Sequence, residues 1–69
     1  MNINKVGKIK NGEMQGWYIK LLDDTENTGG YLIIQSEQED FQGDGYDDWF
    51  ISLEEAIQYI ENNLVVELI

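Results

Sequence analysis

The sequence predicts a small α+β domain in β-β-β-α-β order, an antiparallel-rich sheet with one helix packed on one face. Three observations carry that expectation: a capped amphipathic segment near the C-terminus, three β-rich runs before it, and a closing apolar run, LVVELI. Sixty-nine residues suit one domain, spanning 1–69. A chain of this size buries only about 60% of the surface its unfolded form exposes, so a single core serves the whole fold. Hydrophobic residues make up 42%, enough to build that core and to argue against disorder.

Taken in order, Ile3 to Lys10 reads as a first strand, with Gly7 a candidate bulge. Asn11-Gly12 is the pair that best tolerates the positive φ angles of a two-residue hairpin turn. In WYIKLL, Trp17, Ile19 and Leu21 share one face of a strand and Tyr18, Lys20 and Leu22 the other. The run DDTENTGG, Asp23 to Gly30, is a turn cluster. Tyr31 to Gln35, YLIIQ, is apolar on both faces and so predicts a central strand. Ser52-Leu53-Glu54-Glu55 forms a capping box, and Leu53, Ala56, Ile57 and Ile60 repeat at helical spacing. Together they predict a helix over 52–62. Asn62-Asn63 supplies a stop through the left-handed conformation that asparagine tolerates. Leu64 to Ile69 is the fourth strand.

Charge is the strongest global signal. The formal net charge is −10, and all four lysines (Lys5, Lys8, Lys10, Lys20) fall in the first twenty residues. From Leu21 to Ile69 there are thirteen acids and no base. Such a field repels nucleic acid and anionic membrane and steers basic proteins inward; the competing explanation is solubility alone. No apolar run approaches the roughly 20 residues of a membrane span. The N-terminal MNINKVGKIK has no apolar h-region, so no secretory signal is expected. A soluble cytoplasmic protein is the expectation.

Most catalytic chemistry lacks its parts. The chain has no histidine, no cysteine and no arginine, which removes the usual bases, thiol nucleophiles, zinc ligands and bidentate anion clamps. TENTGG has neither the lysine nor the following helix of a phosphate loop. Neither an enzyme nor a cofactor is expected. The stretch DFQGDGYDDWF, Asp40 to Phe50, runs in the register of a calcium loop: Asp40, Gln42, Asp44, Tyr46 and Asp48 stand at ligand positions and Gly45 at the required glycine. Ile51 occupies the place of the closing glutamate, and no helix enters the loop. No metal is therefore assigned.

The remaining reading is a surface. Tyr46 stands among Asp40, Asp44, Asp47 and Asp48, and tyrosine ringed by acids suits a partner rich in lysine and arginine. Asp23, Asp24 and Glu26 add a second acidic turn. These eight residues are the candidate partner-binding set. Trp49 and Phe50 are expected to anchor the loop and the helix start to the core, with Tyr46 displayed.

The segments GWYIKLLDD, TGGYLII and GDGYDDWF, running into SLEEAIQYIE and a last strand, resemble small acidic immunity proteins of bacterial toxin–immunity systems. The likeness covers residues 16–69. It implies a domain that binds a basic toxin, a nuclease among the candidates, and masks its surface. The order with SLEEAIQYI is also similar to HicB-type antitoxins, although the chain lacks their proline-rich turn and DNA-binding extension. A generic interaction domain, acidic for solubility, is the alternative class.

Overall fold

Ile19, Leu21 and Ile33 alternate with more polar neighbours along the chain. In the computed structural model, which describes residues 3–69, that alternation becomes the buried face of an antiparallel sheet. The elements are β1 (Val6–Ile9), β2 (Tyr18–Asp24), β3 (Gly30–Ser36), β4 (Gly45–Phe50), α1 (Leu53–Asn63) and β5 (Val66–Leu68). The strands lie in the order β4-β3-β2-β1-β5, every neighbour antiparallel. The α+β architecture with one helix on one face is as the sequence predicts, and β3 is interior as its two apolar faces require.

The core follows from the register. Leu21 lies opposite Ile33, and Gly7 opposite Ile19. Ile9, Ile19, Leu21 and Ile33 are fully buried beneath Ala56 and Ile60 of α1. Leu53 and Ile57 of the same helical stripe are half-buried against this cluster, as are Trp17, Phe50 and Val66. Each isoleucine or leucine so covered contributes about 1.5–3 kcal/mol of hydrophobic stabilisation before conformational entropy is counted.

Ser52 caps α1: its Oγ accepts a hydrogen bond from the Glu55 N–H at 3.1 Å, and Glu54 and Glu55 occupy the first turn, where the helix dipole favours them. The C-terminus departs from expectation. No asparagine takes the left-handed conformation there; Leu64 is extended at φ −133°, its N–H still donating to the Ile60 carbonyl. The Asn63 amide instead donates to the Tyr59 carbonyl at 2.9 Å.

Three further local expectations are corrected. Gly45–Phe50, predicted as part of an acidic loop, is a strand paired with β3 from Ser36–Gly45 to Tyr31–Phe50. Its first glycine serves close approach, because a Cβ on Gly45 would strike the Gln35 carbonyl. Gly7 is no bulge; it pairs with Ile19 on one side and Leu68 on the other, where a Cβ would meet the Val66 side chain. Asn11-Gly12 does not make a two-residue hairpin. Gly12 does take positive φ, +78°, but the Lys10 N–H donates to the Val65 carbonyl and Asn11 Oδ1 accepts from the Val65 N–H. Those bonds tie the start of the connection to the segment before β5, and the chain returns to β2 only after Gly16, at φ +90°. Among the described residues, no helix is long and apolar enough to cross a membrane.

Candidate functional site

The β3–β4 register decides where the acids go. Asp47 lies opposite Ile34 and Asp48 opposite Ile33. Since neighbouring strand residues face opposite sides, Asp48 shares the helix-bearing face and Asp47 the helix-free one. The two adjacent aspartates therefore do not form one patch. They flank the free edge of β4 from both sides.

The other candidates divide between the ends of this strand. Asp40 and Asp44 lie in the β3–β4 connection, beside Gly45. Asp23 and Asp24 are the last residues of β2, paired with Tyr31 and Gly30, and Glu26 lies in the β2–β3 turn; all three stand across β3 from the Phe50 end of β4. Seven residues of β3 separate these connections, about 20 Å along the strand. β4 spans the interval. Trp49 ties it to the far turn, its indole N–H donating to Thr28 Oγ1 at 2.9 Å. Asp40, Asp44, Tyr46, Asp47 and Asp48 thus follow one sheet edge, with Asp23, Asp24 and Glu26 gathered across β3 from its far end.

Not all of these carboxylates are equally available. Asp23 accepts from the Thr25 hydroxyl at 2.7 Å and the Thr25 N–H at 2.9 Å. Those two bonds, the hydroxyl's first, hold its carboxyl below the usual carboxylate range. Asp24 accepts from the Asn27 amide at 3.1 Å and Asp40 from the Gln42 N–H at 3.0 Å. These three acids build their own turns. Among the described residues, none of the side-chain hydrogen bonds involves the carboxylates of Glu26, Asp44, Asp47 or Asp48. Nor does a lysine pair with any of the eight; the ion pair among the described residues joins Lys10 and Glu67 at 3.8 Å. The calcium-loop register is broken as well, because residues 45–50 are extended and Asp44 and Asp48 cannot wrap one point.

The aromatic residues are displayed more than the sequence suggests. Tyr46 is 58% exposed, as expected, and stacks on Trp17 with ring centroids 5.8 Å apart. Phe50 packs on the core as expected, tilted against Tyr59 at 5.3 Å. Trp49 does not join the core. It is 47% exposed, opposite Leu32 on the helix-free face, with its ring over Gly30, where any Cβ would collide. Phe41, at φ +59°, lies 4.8 Å from the Lys20 ammonium; this cation–π contact helps offset an uncommon backbone conformation.

A cavity of about 370 Å³ opens between the β1–β2 connection, β4 and the end of α1. Tyr46 and Asp48 line it together with Glu13, Gln35, Tyr59 and Asn63. The last four are not among the residues that composition singles out. Gln35 carried the available signal, a polar side chain with the inward parity of Tyr31 and Ile33 in an apolar run.

No family model, curated protein or solved structure matches this chain.

Proposed function

We propose that this protein is a non-catalytic protein-binding domain that docks a basic partner along the β4 edge. One observation supports the reading above the others: β4 is a free edge strand with unpaired carboxylates on both faces, Tyr46 and Trp49 beside them, acids in the connection that precedes it, and Asp23, Asp24 and Glu26 across β3 from its far end. Charged side chains on an edge also discourage strand addition by the wrong partner. A basic surface meets no such barrier. Close charge pairs across protein interfaces are coupled by about 1.5–7 kcal/mol, and complementary fields raise association rates in a salt-dependent way. Tyrosine and tryptophan supply the apolar anchors that charge alone lacks.

The partner class that suits this surface is a basic toxin, a nuclease among the candidates, which an immunity protein neutralises by covering its surface. The resemblance of residues 16–69 to small acidic immunity proteins points the same way. The test is binding of the cognate basic partner to the native chain and to the Asp44→Asn, Asp47→Asn, Asp48→Asn triple variant, at low and physiological salt. The variant is expected to keep the native Tm and to associate at least tenfold more slowly at low salt. A partner bound with equal affinity by both proteins, and indifferent to salt, would leave the carboxylates with solubility as their role.

A further inference from the structure

We infer that the cavity beside β4 is a receptor for a single arginine side chain of the basic partner, an assignment that rests on the docking reading above. Its lining includes Gln35, which is only 5% exposed. None of the side-chain hydrogen bonds of the described residues involves the Gln35 amide. Among the described residues no buried side-chain nitrogen or oxygen lacks a partner, so the Gln35 amide keeps its contact with solvent and is free to bond a ligand. A ligand that fills the cavity and offers donors takes the place of that water.

The surrounding groups define that ligand. The lining includes two carboxylates, Asp48 and Glu13, and no lysine. Tyr46 and Tyr59 add two phenols. Each ring is already braced, Tyr46 by stacking on Trp17 and Tyr59 by its contact with Phe50. The Asn63 amide nitrogen is committed to the Tyr59 carbonyl, which leaves its oxygen as a further acceptor. Met14 and Leu64 supply apolar wall for a methylene stem. Acceptors, negative charge, aromatic surface and an apolar wall together match a guanidinium, which is planar, offers five donors and stacks on rings. A compact ammonium uses fewer of these groups. A divalent cation such as calcium demands six to eight oxygen ligands and gains nothing from the apolar wall. The volume lies at the small end of the range for ligand pockets, appropriate to one side chain.

The test needs no identified partner. N-acetyl-argininamide is titrated into the ¹⁵N-labelled full chain at constant ionic strength, with the neutral isostere N-acetyl-citrullinamide as the control. The arginine probe is expected to shift the side-chain amide signals of Gln35 and Asn63 saturably, at about millimolar concentration. The control is expected to leave them in place. Asp48→Asn is expected to weaken the response at least tenfold, and Glu54→Gln, outside both the cavity and the docking set, to leave it within twofold. Equal response to both probes, no saturable response, or shifts spread evenly over all the acidic turns would each overturn the assignment. The two readings also fail separately. Salt-sensitive partner binding undiminished in Asp48→Asn, beside a probe that ignores the cavity, removes the arginine receptor and keeps the edge. A probe that fills the cavity beside salt-indifferent partner binding supports the receptor and removes the edge.

Discussion

β2 and β4 are both antiparallel partners of β3, of seven and six residues, yet they are held by different forces. β2 is interior and places Ile19 and Leu21, both fully buried, under the helix. β4 has no buried residue; Phe50 is its most covered side chain and Trp49 is 47% exposed. What holds β4 is its backbone ladder to β3, the glycines that let the strands meet closely, and the Trp49–Thr28 hydrogen bond. The charges divide less sharply. β2 carries Lys20 together with Asp23 and Asp24 at its end, whereas β4 carries Asp47 and Asp48 and no cation. One sheet therefore combines a strand fixed by core packing with a strand whose side chains are left for other uses.

Core truncation breaks the comparison most directly. Leu21→Ala is expected to cost about 2–5 kcal/mol. In a domain of this size each kcal/mol lowers Tm by about 4–8 °C, so a thermal melt of the variant should show Tm lowered by roughly 8–40 °C. Gly45→Ala attacks the other strand. Forcing a Cβ against the Gln35 carbonyl should cost about 1–3 kcal/mol. Hydrogen exchange should accelerate at β4 and its β3 partners, while β1 and β2 keep their protection. Thr28→Val removes the acceptor for the Trp49 indole and should cost about 0.5–1.5 kcal/mol.

The smallest effect is electrostatic. Asp23 has its folded pKa lowered by the Thr25 hydroxyl and then the Thr25 N–H. A depressed carboxylate stabilises the fold above its unfolded pKa, and that stabilisation is lost as pH falls through the folded value. Acid melts of the native chain should therefore show a step below about pH 4. Thr25→Ala should reduce the step and leave Tm at neutral pH nearly unchanged. An identical acid profile in the variant would assign acid sensitivity to other carboxylates.

The parts of the fold legible in the sequence are those with local causes. Ser52, Glu55 and the stripe from Leu53 to Ile60 define the helix within four turns of chain, and the two-sided apolarity of YLIIQ places β3 inside. β4 was hidden for a physical reason. An edge strand with neither face fully covered has no need of apolar alternation, so GYDDWF lacks the period-two pattern, and its flanking glycines imitate a loop. The aromatic run from Tyr46 to Phe50 was the available sign of a strand. The Asn11-Gly12 hairpin failed because Asn11 bonds to Val65, fifty-four residues away, a contact no local window contains. The candidate acids were legible one by one. Their arrangement was not, since the separation of Asp47 from Asp48 depends on a strand the pattern did not show.

The two tryptophans stand on opposite faces of the sheet, Trp17 stacked on Tyr46 on the helix side and Trp49 half-exposed on the other. The molecule thereby carries two intrinsic fluorophores, one for each face. With Trp17→Phe or Trp49→Phe, emission from the remaining indole would report which face a bound molecule covers, without an added dye.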